Sequence, residues 1–263
     1  VTYLRKPEPW VVIILLASYA FFWHSRDWNC ASRLMLTYSL VDQGTIQLDG
    51  LEGQTGDIAH FRGHYYSDKL PGYSLLASIP YGVAKLAFGL PDHPREVDGI
   101  AYWWSDYWVT LGTSGLLTAL CAGLLTSLAR AIGCGPRTAL LVGLGYGLTT
   151  PAYPYGTLSY GHQACAFCLL LSFALLWRKT PNRPALEAFL AGVFAAYASV
   201  IELQVGPVSA ILGFYLLAQV CLGVRKPARL GEFAVGAALP TLILMGYHYL
   251  AFGSAWDMGY FHH

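Results

Sequence analysis

Apolar runs about as long as a membrane is thick recur along this chain, and no other feature narrows its fold as much. A helix rising 1.5 Å per residue needs roughly 20 such residues to cross a bilayer. Runs of this kind cover 107–129, 138–154, 162–177, 184–200, 203–222 and 232–252. A slightly short one, 10–24, is extended by interfacial Trp and Tyr. Only 12% of the residues are charged, where a soluble domain has about 25%. The expected fold class is all-α and polytopic, a single membrane domain over 1–263 with about seven transmembrane helices. A net charge of +1 offers no basic surface to nucleic acid.

The long polar segment is 25–106, and its part from Asp27 to Gly72 holds Asp27, Asp42, Asp49, Glu52, Asp57 and Asp68. Within it, Ser32–Val41 places Leu34, Tyr38 and Val41 on one face. That is the pattern of an amphipathic helix lying on a membrane surface, here ended at Gln43-Gly44. Residues 70–89 are apolar but contain Pro71, Pro80 and Lys85, so they fit a span or an interfacial or re-entrant helix. Charge decides between these, because cytoplasmic loops carry an excess of Lys and Arg. If 70–89 does not cross, Arg5, Lys6, Arg130, Arg137, Arg178, Lys179, Arg183, Arg225, Lys226 and Arg229 gather on one side. If it crosses, Arg5 and Lys6 part from all the others. The expectation is seven spans with a cytoplasmic N-terminus. Residues 25–106 then form a large extracytoplasmic loop bearing juxtamembrane helices, and 253–263 an extracytoplasmic tail. Trp103, Trp104, Tyr107 and Trp108 suit an interfacial belt.

Cys165 and Cys168 form a C-x-x-C inside an apolar run with no second ligand pair, which reads as small-residue helix packing. Gly143, Gly145, Gly147, Gly231 and Gly236 lie in spans, where small residues let helices approach. Arg5 and Lys6 precede the first run but no small-residue cleavage site follows it, so it reads as a retained helix. The chain opens on Val1 and stops at His263, and both ends read as cut.

Residues able to carry chemistry cluster at the ends of the apolar runs. Asp27, three residues beyond the first run, is placed to act as general base at the membrane boundary, or to pair with Arg26 or Arg33. Asp57 is a second candidate base or metal ligand. Lys69 meets the membrane just before an apolar helix that Pro71 can start, where a cation suits a lipid phosphate or simply snorkels. His60, His64 and His162 could hold a divalent ion with Asp57 or Asp68, although Gly63 between the first two argues against a helical pair. Glu202, between two spans, is either a functional group or a headgroup-level loop residue.

The order of these segments also carries a family resemblance. A first span, an Asp just outside it, SRLMLTYSLVDQGTIQLD, then DIAHFRGHYYSDKLPG, YPYGTLSYGH at 153–162 and YHYLAFGSAWDMGY at 247–260 resemble the GT-C superfamily of membrane glycosyltransferases. Within it, the chain is similar to bacterial relatives of the protein O-mannosyltransferases and the lipid A aminoarabinose transferases. The resemblance implies a sugar donor linked to polyprenyl phosphate, an extracytoplasmic acceptor and a bacterial inner membrane. It implies catalytic Asp27, with Asp57 a further candidate. Lys69, with Arg62, His64, Asp68, His162 and Glu202, would bind substrate. No metal ligands are assigned by it. Trp28 stands where the family often has a second acidic residue, and Lys69-Leu70-Pro71 has one proline fewer than the family's segment. The family continues past a seven-span core, so this chain would be the core alone. The alternative is an inactive accessory subunit derived from that core, with other membrane proteins as partners. A transporter is disfavoured, since no span carries a central charge or a broken-helix pair.

Overall fold

In a computed structural model, residues 6–24, 27–94, 98–178 and 181–263 are described. Arg5 and Lys179, which entered the charge argument, and Arg26, named as an alternative partner of Asp27, lie outside them. The chain is mainly helical, and helices occupy each of the expected spans. They are α1 (Glu8–Phe21), α4 (Ile100–Thr110) running on through a π turn into α5 (Leu116–Ala131), α6 (Pro136–Thr149), α8 (His162–Trp177), α9 (Pro184–Ile201), α10 (Gly206–Cys221) and α11 (Ala228–Phe252). Between them lie α2 (Trp28–Tyr38), a hairpin of β1 (Ile58–Phe61) and β2 (His64–Ser67), α3 (Gly72–Phe88) and the single turn α7 (Ala152–Gly156). Four segments are long and apolar enough to cross a membrane: Tyr102–Ala131, Pro184–Ile201, Leu203–Cys221 and Ala228–Phe252. The protein is thus a helical membrane protein, with one small antiparallel hairpin that an all-α expectation did not include.

Small residues set the tightest helix contacts. A Cβ on Gly192 of α9 would lie 2.0 Å from the Phe233 carbonyl oxygen of α11, and one on Gly236 would lie 2.0 Å from that of Phe189. The backbones of α9 and α11 therefore touch, which lipid-embedded helices achieve only with glycine or a similarly small residue. Gly143 and Gly147 pack as tightly against α5 and Leu15, whereas Gly145 has only its own Thr149 hydroxyl near and Gly231 faces open space. Cys165 and Cys168 are free thiols in the apolar core, as packing residues would be.

The interhelical links sort to two ends. At one end Arg130 pairs with Glu8 at 2.8 Å, and Arg225 donates to the carbonyl of Arg178 at 2.7 Å. At the other end the His24 amide donates to Thr157 at 3.2 Å, and the His60 amide donates to His262 at 2.9 Å. This second end gathers α2, the hairpin, the 157–162 turn, Glu202 and the 253–263 segment.

Helix α2 departs from a surface-lying amphipathic helix. Leu34, Tyr38 and the adjoining Val41 do share one core, but Ala31, Met35 and Leu36 on the opposite face join a second one with Leu48 and Leu51. Every residue from Cys30 to Tyr38 is buried. Gly44, with φ of 65°, ends the π turn that follows, as the sequence led one to expect. Helix α3 runs alongside α2 in the same direction. Ser67 meets Ser32 at its start, Ser74 bonds the Arg33 carbonyl in its first turn, and Tyr81 and Lys85 reach Asp42 near its end.

Candidate functional site

The N-terminal turns of α2 bring most of the polar groups together. Asp27 is the N-cap, in extended backbone, and its carboxylate accepts the Cys30 amide at 2.8 Å. Such a cap is worth about 1 kcal/mol. The other carboxylate oxygen accepts from the Tyr160 hydroxyl. Burial pushes the Asp27 carboxyl up, but these two bonds outweigh it and hold the group below the usual carboxylate range. Burial and the neighbouring carboxylate raise the Tyr160 phenol, so it stays a donor. Tyr160 also contacts His162, which stacks on Tyr155 with ring centroids 4.5 Å apart. Asp27 thus reaches Tyr160 and, through it, His162.

Arg33, two turns into α2, is 2% exposed. Its Nη2 donates to Glu202 at 2.5 Å and its Nε to Asn29 at 3.1 Å. Glu202 in turn lies against the 157–162 turn, where a Cβ on Gly161 would stand 2.6 Å from its Oε1. The buried Arg33–Glu202 pair therefore joins the Asp27 group to the next cluster.

That cluster centres on Lys69. Its ammonium sits 2.9 Å from Asp57 and 2.8 Å from Asp68, and 5.6 Å from the centre of the Tyr260 ring. Ser32, beside Arg33 on α2, bonds Ser67 at 2.7 Å and Asp68 at 3.4 Å. Burial works against the Lys69 charge, but the two carboxylates prevail and raise its pKa. Tyr260 belongs to a 3-10 turn pressed onto this region, since a Cβ on Gly259 would lie 2.8 Å from the Asp68 Cα.

Six of the eight residues given catalytic or substrate-binding roles from sequence fall into these linked clusters: Asp27, Asp57, Asp68, Lys69, His162 and Glu202. Arg62 and His64 do not. They flank the hairpin tip, roughly 10 Å along the ladder from its base at Ser67. There the Arg62 guanidinium lies over the Phe61 ring at 5.0 Å, and His64 bonds Asp49 at 2.7 Å. His60, His64 and His162 do not converge on one ion. Among the described residues, Asp57, Asp68 and His263 offer ligand atoms within 4.8 Å of one another, and the Lys69 ammonium already bonds both carboxylates. Tyr160 and Tyr260 were not singled out from sequence, and Arg33, named there only as an alternative partner of Asp27, pairs with Glu202 instead. A second polar knot, Asp42 with Lys85, Tyr81 and the His93 amide, fastens the far end of α3 to the end of α2.

Beside the Lys69 cluster, a cavity of about 470 Å³ opens between α9, α10 and α11. Ala195, Ala210, Phe233, Ala237 and Leu244 line it, as do Trp256 and Met258 of the 253–263 segment, whose next residue, Gly259, packs on Asp68. In comparisons with known proteins the chain matches no family model, no curated protein and no solved structure.

Proposed function

We propose that this chain is the core of a GT-C-like glycosyltransferase, passing a sugar from a polyprenyl-phosphate carrier to an extracytoplasmic acceptor in a bacterial inner membrane. The observation that carries the reading is the gathering, at one end of an apolar bundle, of a low-pKa Asp27 carboxylate and a Lys69 ammonium held between Asp57 and Asp68, beside an apolar cavity among three helices. In this reading seven helices cross, α3 stays at the surface, and the site faces away from the cytoplasm. Asp27 takes the proton of the acceptor hydroxyl or amine as the acceptor attacks the sugar. The carrier phosphate leaves as an anion, and Lys69 stabilises the charge growing on it. The cavity holds part of the prenyl chain. Glu202 fixes Arg33, and His162 and Tyr160 wall the acceptor side.

The test is Asp27→Asn in the whole chain, reconstituted with a polyprenyl-phosphate sugar. Asparagine still caps a helix, so melting should change little while transfer disappears. Undiminished transfer by this variant would remove Asp27 from the mechanism.

One observation favours a second reading, an inactive accessory subunit. Lys69 already has two carboxylate partners and Arg33 has one, so both cations are neutralised within the protein. Stable co-purification with other membrane subunits, without sugar turnover, would support it.

A further inference from the structure

The tip of the hairpin holds a residue that its turn does not favour. Phe61 pairs with His64, so Arg62 and Gly63 alone make the turn, with φ of 53° and 85°. Two positive φ values mark a type I′ turn, in which Asn-Gly is preferred and a long side chain is strained. Arginine stands there in spite of that strain. The tip is also fixed in place, because Phe61 and Tyr66 pack on Phe252 at the end of α11, with ring centroids 5.9 and 5.4 Å apart. The guanidinium lies 3.8 Å from the point where a Cβ on Gly253 would stand. The last turn of α11 attracts it through the helix dipole, yet among the described residues no carboxylate or carbonyl bonds it. Its five N–H donors remain. Arg62, with Phe61, His64, Tyr249, Leu250 and Gly253, lines an open cavity of about 500 Å³. His64 is already tied to Asp49, so Arg62 is the cation of this cavity.

From the cavity toward the middle of α11, one face of the helix is bare. Leu239, Leu242, Ile243 and Leu250 are exposed there and recur at helical spacing. Gly246 among them has nothing within 4 Å of an added Cβ. Leu239 to Tyr249 covers about 15 Å of helix at 1.5 Å per residue, half of the roughly 30 Å hydrocarbon thickness of a bilayer. A cation at the end of a span, next to one leaflet's depth of bare apolar helix, complements a molecule with an anionic head and an acyl tail.

We propose that Arg62 and the outer face of α11 form a binding site for an anionic phospholipid, its phosphate on the guanidinium and an acyl chain along Leu242, Gly246 and Leu250. The site goes beyond the sugar-transfer reading and does not depend on it, since it uses neither the Asp27 nor the Lys69 cluster. Arginine suits a phosphate because its planar fork bonds two oxygens at once. Tyr249, exposed beside it, stands where interfacial tyrosines meet headgroups. A lipid seated here bridges the hairpin tip and α11. The same hairpin leads through Ser67 into Asp68, which bonds Lys69, so the lipid also steadies the strand that enters that cluster.

The experiment is native mass spectrometry of the whole chain released from detergent micelles, titrated with phosphatidylglycerol and, in a separate arm, phosphatidylcholine. One phosphatidylglycerol should be retained in preference to phosphatidylcholine, whose own cation offsets its phosphate. Arg62→Asn suits the turn better than arginine does and removes the charge, so the variant should fold and retain that lipid about fivefold less. Gly246→Trp places a ring on the open face of α11 and should lower retention by competing with the chain. Equal retention by the wild type and Arg62→Asn would overturn the site. Equal retention of the two lipids by the wild type would overturn the anionic assignment. Glycerol phosphate displacing the lipid at matched concentration would mean a free-anion pocket and overturn the lipid assignment. Unchanged retention by Gly246→Trp would overturn the placement of the chain. Thermal melting in micelles is the second measurement: phosphatidylglycerol should raise the midpoint of the wild type and not that of Arg62→Asn, and an equal rise in both would count against the site.

Discussion

Asp27 and Tyr160 stand 133 residues apart in sequence, and their hydrogen bond gives the site its clearest pH signature. The folded-state pKa of Asp27 is depressed. Its contribution to stability is therefore present above the unfolded value of about 3.9 and is lost as pH falls through the lower folded value. Lys69 is shifted upward, so its contribution is present below about 10.4 and is lost as pH rises through a still higher value. Neither group titrates between roughly pH 5 and 9, where transfer should show no limb from them. Tyr160→Phe removes one of the two bonds holding Asp27 down. The acid limb of a pH–rate profile should then move upward, and an unmoved limb would show that Tyr160 does not tune the carboxylate. The polar residues at run ends were legible in sequence because charge is expensive beside a membrane. Their partners were not. Tyr160 reads as one more interfacial aromatic in YPYGTLSYGH, and Arg33 pairs with a Glu202 that lies 169 positions away. No local periodicity encodes such a pairing.

At the level of elements, hydrophobic runs located the helices well, because each span must satisfy its own backbone in an apolar setting. What they could not show is what surrounds a helix. Helix α2 has one apolar stripe plus Ser32, Arg33 and Thr37, which suggested a solvated face. Those three are buried because Ser67, Glu202 and the α3 backbone supply their partners. The hairpin was missed for a related reason: IAHF and HYYS are four-residue strands, short enough that alternation carries almost no signal. Pro80 left 70–89 open between a span and an interfacial or re-entrant helix, and α3 passes through it without a break, with the ring fitted against Gly112 of the π turn. Glycine spacing in the last spans was informative, and it supports a sharp prediction. Gly236→Leu would drive a side chain into the α9 backbone, where even a Cβ stands 2.0 Å from the Phe189 carbonyl oxygen. Overpacking of this kind costs about 1–3 kcal/mol and occasionally more, so the thermal midpoint in nanodiscs should fall by several degrees. Gly231→Leu, on an open face of the same helix, should leave it unchanged.

For the whole molecule, the disposition of α3 decides the number of crossings. Both its ends are fastened to α2 or the segments beside it, through Ser67–Ser32 at the start and Lys85–Asp42 at the finish. In the proposed topology, a helix bound at both ends to one loop stays with that loop, and α3 does not cross. The segment Tyr102–Ala131 is then the sole crossing between the first loop and the link after α5. The consequence is testable with cysteines. Gly53 is exposed in the first loop with nothing within 4 Å of a new Cβ, and native Cys134 lies in the link after α5. In sealed vesicles of known orientation, an impermeant maleimide should reach Gly53→Cys from the extracytoplasmic side and Cys134 only from the cytoplasmic side. In the same topology, Cys221, exposed at the end of α10, is four crossings from Cys134, those of α6, α8, α9 and α10, and should label with it. If Gly53→Cys and Cys134 label from the same side, α3 crosses as well. Arg130 and its partner Glu8 would then stand in the same compartment as the first loop. The first helix, whose start is tied to Arg130 and whose end leads into that loop, would have no membrane to cross. The labelling pattern therefore tests the orientation on which an extracytoplasmic site depends, independently of any turnover.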